Sequence, residues 1–269
     1  MTRTLAIAMT ALAAPLVNAA DPAKVEIVAH RGASFDAPEN TVAAIKLAWE
    51  QKADASEFDV FLSRDGKIVV THDPNTKRIC GVDRKVVDQP FAELRKLDVG
   101  KWKDARFAGE RMPTLEEMLA TVPAGKRVLI EVKCGPEIVP ELDRVLKTSG
   151  LKPEQTPVIA FNAGVVAAVK KARPDVKAYW LVTLSPKKAK PRTAEELIAK
   201  AKEIGADGLD LSADAKVLTK EFGATVKAAG LALYVWTVND VDLARQMIAA
   251  GAESITTDRP AWLREELGK

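Results

Sequence analysis

Eight short runs of apolar and β-branched residues recur along the chain, and each is separated from the next by a stretch with helical spacing. The runs are VEIVAH, ASEFDVF, RVLIEVK, PVIAF, KAYWLV, DGLDLS, LALYVWTV and ESITTD. Strands that alternate with helices in this way pair in parallel, each helix serving as the crossover to the next strand. The helical stretches fall at Asn40–Gln51, Thr114–Thr121, Pro136–Ser149, Gly164–Ala172, Thr193–Ile204, Lys216–Ala229 and Val241–Ala250, with Gly205 and Gly251 placed where a helix must end. Eight β/α units within 269 residues, without a break in composition, predict a single α/β domain closed as a TIM (β/α)8 barrel. A doubly wound sheet binding a dinucleotide is disfavoured, because no G-x-G-x-x-G follows the first strand.

One interval breaks the rhythm. From Leu62 to Pro113 the chain leaves the repeat, turns at Asp65-Gly66 and runs back through KIVVTHD as an extra strand. This small insertion after strand 2 is expected to lie over the C-terminal mouth of the barrel, where such folds build their chemistry.

Residues 1–20 read differently from the rest. Arg3 is followed by the alanine-rich run TLAIAMTALAAPLV and then NAAD, the pattern of a charged start, an apolar centre and small residues at a cleavage point near Ala19 or Ala20. The expectation is a signal peptide that directs export to a periplasm or beyond the cell, leaving 21–269 as the mature domain. The apolar run is shorter than the about 20 residues a membrane span requires. In an oxidising compartment Cys80 and Cys134, the two cysteines of the chain, would be able to pair if the fold brought them together.

Charge excludes one class of partner. Lys plus Arg is 40 against 37 for Asp plus Glu, and the excess is spread out rather than gathered into a block that would grip nucleic acid. The densest basic run, PKKAKPR at 186–192, reads as a solvated loop rather than a lipid-binding patch.

The ends of the predicted strands carry the polar residues. His30 and Arg31 close the first strand; Glu57 and Asp59 lie on the second, Glu131 and Lys133 on the third. Side chains alternate across a strand, so each of the last two pairs shares one face. Turned into the barrel, the three carboxylates repel one another unless a positive charge sits among them. A hard divalent cation, Ca²⁺ or Mg²⁺, suits oxygen ligands; an ion-pair network with Arg31 and Lys133 is the alternative. His72, in VVTHDP at the tip of the excursion, joins His30 as a second group titrating near neutrality, and two such groups can serve as acid and base on opposite sides of a bond. Fixed charge from Arg31 and Lys133 suits a phosphate, so the cluster points to metal-assisted phosphodiester cleavage. Trp236 lies near a late strand end, as a wall of the substrate pocket or as a core aromatic, and Glu39 is near enough in sequence to orient Arg31. ERMPTLEE needs only a structural reading, with Thr114 as helix cap and Glu117 as its capping-box partner.

Taken together, HRGAS with PENT, EFDVFLSRDGKIVVTHD, LDVGKW, MPTLEE, IEVK, VWTVND and TTDRP resemble, in order, the glycerophosphodiester phosphodiesterase family. The resemblance implies a TIM barrel with a small insertion after its second strand, His30 and His72 as general acid and base, Glu57, Asp59 and Glu131 as metal ligands, and Arg31 and Lys133 on the phosphate. It further implies a deacylated phospholipid as substrate, cleaved to sn-glycerol 3-phosphate and an alcohol. An enzyme of intact lipids on the same scaffold would need an apolar rim, and KRICGVDRKVVDQPFAEL holds few aromatics. Departures such as Lys52-Ala53-Asp54 and Glu253-Ser254 fall at strand starts, away from the chemistry.

Overall fold

A computed structural model describes residues 25–184, 190 and 192–269. The leader expected at 1–20 and most of the basic run at 186–192 lie outside these residues. The strands are β1 (Glu26–Ala29), β2 (Ala55–Leu62), β3 (Ile68–Val70), β4 (Arg127–Val132), β5 (Val158–Ala160), β6 (Ala178–Val182), β7 (Gly208–Ser212), β8 (Ala232–Trp236) and β9 (Ser254–Thr257). All but β3 run parallel and form a ring, which closes where β1 pairs with β2 on one side and with β9 on the other. This is the TIM barrel that the eight-fold alternation predicts. β3 lies outside the ring, antiparallel to β2 with Phe61 opposite Val69, as the turn at Asp65-Gly66 requires.

Alternation along the strands sorts the side chains into two layers. Phe58, Val60, Ile130 and Val132 point outward and join the large apolar layer beneath the helices. The intervening positions point into the barrel, where Val28, Ala55, Leu129, Ile159, Tyr179, Leu181 and Tyr234 pack together. Burial of each large aliphatic chain contributes roughly 1.5–3 kcal/mol, so a register slip of one residue, which would turn every interior carboxylate into the helix layer, is excluded.

The helices are α1 (Val42–Glu50), α2 (Lys77–Cys80), α3 (Phe91–Leu94), α4 (Leu115–Leu119), α5 (Val139–Thr148), α6 (Ala163–Ala172), α7 (Ala194–Glu203), α8 (Lys220–Ala228), α9 (Val241–Ala249) and α10 (Pro260–Glu266). Thr114 accepts from the Glu117 amide at 3.2 Å while Glu117 accepts from the Thr114 amide at 2.9 Å, the expected capping box. The helix expected from Lys216 begins at Lys220 instead, because Thr219 accepts from the Phe222 amide and so fixes the start. α10 has no counterpart among the predicted helices; it starts at Pro260, whose missing N–H costs nothing in the first turn. No helix among the described residues is long and apolar enough to cross a membrane.

The excursion after β2 is folded rather than loose. It carries α2 and α3 over a core of its own, Phe61, Val69, Ile79, Val86, Leu94, Val99 and Met112. Cys80 and Cys134 both pack against this core, and both are free thiols. At the opposite end of the barrel, Arg127 donates to Glu26 and, at 2.8 Å, to the Tyr234 hydroxyl, which donates to the Tyr179 hydroxyl at 3.2 Å. Glu26 also accepts from the Ser254 hydroxyl at 3.1 Å. These bonds close the floor of the barrel with partnered polar groups.

Candidate active site

The C-terminal mouth opens on a cavity of about 190 Å³ lined by residues from all eight barrel strands or the loops that follow them. His30 and Arg31 follow β1, Glu57 lies within β2, Glu131 within β4 with Lys133 after it, and His72 reaches over from the excursion. Strand alternation, with Asp59 of β2 in register beside Glu131 of β4, brings Glu57, Asp59 and Glu131 together: one carboxylate oxygen from each lies within 4.8 Å of the others.

The backbone around Arg31 is bent to serve this cluster. Arg31 has φ of 55° and Gly32 of 81°, and a Cβ on Gly32 would meet the Ala44 carbonyl carbon at 2.5 Å, so only glycine fits. The bend aims the Arg31 amide at Glu57 Oε2, 2.9 Å away. Asn40, also left-handed at φ 60°, donates from its side chain to Asp59 Oδ2 at 2.8 Å and accepts from the Asp59 amide at 3.0 Å. Asparagine tolerates that conformation better than most residues, which accounts for its place in PENT. Glu39 accepts from Arg31 at 3.0 Å, as its proximity predicted, and it also takes two bonds from Arg78.

The carboxylates are unequal. Burial, with Asp59 and Glu131 as neighbours, pushes Glu57 well above the usual carboxylate range. Burial and the charge of Asp59 push Glu131 up to about 7. Burial acts on Asp59 in the same sense, but Arg31 and Lys133 outweigh it and hold Asp59 below its ordinary value. Lys133 Nζ stands 2.7 Å from Glu131 and 3.4 Å from Asp59. Two buried oxygens, Glu57 Oε1 and Asp59 Oδ1, nevertheless have no hydrogen-bond partner. Orphaned oxygens on converging carboxylates fit a hard divalent cation; the ion pairs reach Asp59 Oδ1 only through Lys133 at 3.4 Å and leave Glu57 Oε1 without a partner.

Each histidine has a carboxylate at its back. Asp258 Oδ1 lies 2.6 Å from His30 Nδ1, and Asp73 Oδ1 lies 2.7 Å from His72 Nδ1. Both contacts leave Nε2 as the free ring nitrogen of a residue that lines the cavity. Asp258 is fixed in turn by Asn239 at 2.6 Å and Ser34 at 3.1 Å, and Asp73 by Arg78 at 2.6 Å. Burial raises Asp258, but its bonds to His30, Asn239 and Ser34 outweigh this and hold it at about 2. Burial moves His72 the other way, below the ordinary histidine value.

The far side of the cavity is apolar: Ile159, Leu181, Phe161 and Trp236, the last two in edge-to-face contact at 5.5 Å. Trp236 is therefore both a wall of the cavity and anchored in the barrel, its indole N–H donating to the Asp210 carbonyl at 3.1 Å. Phe35, Trp102 and Phe161 are exposed, and all three line cavities that His30 and Arg31 share. Arg259 covers Phe35 at 4.4 Å, and Lys103 lies over Trp102 at 6.0 Å.

Of the site residues expected from the sequence, His30, Arg31, Glu57, His72, Glu131, Lys133 and Trp236 line this cavity, Asp59 belongs to its acidic cluster, and Glu39 stands behind Arg31. Asp258, Asp73, Asn40, Phe161 and Asp210 were not singled out. The first three lie inside TTDRP, THD and PENT, so motif position was the available signal; Phe161 and Asp210 carried none.

The glycerophosphoryl diester phosphodiesterase family model matches residues 30–262. A glycerophosphodiester phosphodiesterase of Caldanaerobacter subterraneus is 33% identical over 250 residues, covering 89% of this chain and 96% of its own. One from Bacillus subtilis is 29% identical over 260 residues, covering 90% and 86%. Among solved structures, an Oleispira antarctica phosphodiesterase in complex with the product sn-glycerol-3-phosphate superposes with a TM-score of 0.81 at 27% identity, covering 91% of this chain and 97% of its own. The match runs from His30, just after the first strand, to Trp262 in the last helix and so takes in every later strand of the barrel, and the chain belongs to the glycerophosphoryl diester phosphodiesterase family.

Proposed function

We propose that the protein hydrolyses glycerophosphodiesters, the deacylated phospholipids, to sn-glycerol 3-phosphate and an alcohol. The observation that carries the reading is the pair of histidines, each backed by a carboxylate, lining one cavity with Arg31, Lys133 and the acidic cluster. Glu57, Asp59 and Glu131 hold a divalent cation, Ca²⁺ or Mg²⁺. When bound, the cation polarises the phosphoryl group and offsets the charge that builds up in the transition state.

Arg31 and Lys133 fix the phosphate by charge, and Glu39 keeps the Arg31 guanidinium turned inward. One histidine takes a proton from the attacking water while the other gives a proton to the departing alkoxide, each through Nε2. Asp258 and Asp73 hold the rings in the tautomer that this exchange needs. The apolar wall of Ile159, Leu181 and Trp236 limits water on the side away from the charges. The net change is addition of water across one P–O bond.

The direct test follows release of glycerol 3-phosphate from glycerophosphocholine with added Ca²⁺ or Mg²⁺, before and after EDTA. His30→Ala and His72→Ala proteins that stay folded and lose activity support the reading. Wild-type rates in either variant, or rates unmoved by EDTA, overturn it. We propose as well that residues 1–20 are a signal peptide removed on export, which N-terminal sequencing of the mature protein checks; an intact Met1 would refute it.

A further inference from the structure

Asp210 stands at the middle of β7, with Leu181 of β6 and Tyr234 of β8 beside it in register. It is 1% exposed, lines the central cavity, and its Oδ1 has no hydrogen-bond partner. A buried acceptor left unpaired costs about 1–3 kcal/mol, and an aliphatic residue like its neighbours Leu181 and Ile159 would avoid that cost. The orphaned oxygens of Glu57 and Asp59 are accounted for by a shared cation. Asp210 is not part of that group of converging carboxylates, so its missing partner is something else.

The cavity itself says what. His30, Arg31, Glu57, His72, Glu131 and Lys133 occupy the side formed by β1, β2, β4 and the excursion. Ile159, Phe161, Leu181 and Trp236 form the other, with Asp210 as the ionisable group among them. A phosphate drawn to the charged side places one of its substituents against the apolar side. There the walls suit methylene groups, and one polar atom of the substituent meets Asp210. A hydroxyl carries a proton to donate to Asp210 Oδ1, and burial, with Glu131 nearby, holds Asp210 well above the usual carboxylate range, which favours a neutral partner over an ammonium. We propose that Asp210 accepts a hydrogen bond from a hydroxyl on the glycerol half of the diester, and so selects glycerol phosphodiesters over plain alkyl ones. This inference rests on the proposed hydrolysis of glycerophosphodiesters.

The experiment compares three substrates: glycerophosphoethanolamine, its analogue with propyl in place of glycerol, and the ethyl diester of glycerol 3-phosphate, which keeps the glycerol but lacks the ammonium. Phosphorus NMR follows each hydrolysis. The wild-type enzyme is expected to prefer both glycerol diesters to the propyl diester at least tenfold in kcat/KM, since sites that bind a hydroxyl reject analogues lacking it. In Asp210→Ala that preference is expected to shrink at least tenfold. If the alanine variant does not fold, Asp210→Leu, which matches its neighbours, is read in the same way. A preference that survives substitution, one that follows the ammonium, or no preference in the wild type overturns the assignment. A wild type that cleaves none of the three instead overturns the proposed activity, so the two failures are distinct.

Discussion

His30 and Asp258 lie 228 residues apart in sequence, yet their side chains meet at 2.6 Å, across the seam where β9 pairs with β1. The contact fixes which ring nitrogen of His30 faces the cavity. Asp258→Asn keeps the shape and can present an N–H where an acceptor was. We expect kcat to fall roughly 10²–10⁴-fold, the range by which a positioned acid or base accelerates proton transfer, with KM changed far less and the acidic limb of the pH profile displaced. An unchanged pH profile would show that Asp258 serves the fold alone.

Glu131, raised to about 7 by burial and by Asp59, makes cation-free protein sensitive to pH. Its proton is held more tightly in the folded chain than in the unfolded one, where a glutamate titrates near about 4.3. The stabilisation is therefore complete below about pH 4 and is lost as pH rises through 7. In thermal melts with EDTA, Tm is expected to drop between pH 5 and pH 8, and Glu131→Gln to remove much of that drop. Saturating Ca²⁺ or Mg²⁺ replaces the proton, so the gain in Tm on adding cation should be larger at pH 8 than at pH 5. Equal gains at both would contradict this account.

Asn40 holds Asp59 by both its carboxylate and its amide. In Asn40→Ala both bonds go, and alanine at φ 60° is strained as well. We expect cation affinity to fall roughly 10–100-fold, as for other residues that orient metal ligands, and stability to fall by about 1–3 kcal/mol. Calorimetric titration and denaturant melts measure the two separately.

Glu39→Gln leaves Arg31 a weaker partner and loosens Arg78, which keeps its bond to Asp73. A rise in KM of roughly threefold to tenfold is expected, because a neutral amide loses about 1 kcal/mol of charge-assisted bonding. Unchanged substrate affinity would separate Glu39 from the placement of Arg31.

Gly32→Ala tests the bend itself. The added methyl would press on the Ala44 backbone at 2.5–2.7 Å and would meet φ of 81°. Expression with loss of several degrees in Tm, or failure to fold, is the expected result; a wild-type melt would show that the bend relaxes freely.

The barrel was legible because its signal is repeated: eight strand patterns fix a topology even where single boundaries shift by a few residues, as at Lys216. The carboxylate cluster was legible because i, i+2 spacing survives folding unchanged. What connects distant strands was not. Nothing local marks Asp258 as the partner of His30, since their contact depends on the barrel closing. Asp210 sits in DGLDLS as an ordinary polar residue in a strand, and only the interior geometry shows its oxygen without a partner. α2 and α3, at four residues each, are too short for any helical period to show.

The floor of paired polar groups built from Arg127, Glu26, Tyr234 and Tyr179 leaves the barrel with one doorway. Substrate, water and both products share it, so traffic is a queue. Product that lingers there occupies the space the next substrate needs, so each product is expected to slow the enzyme as a competitive inhibitor.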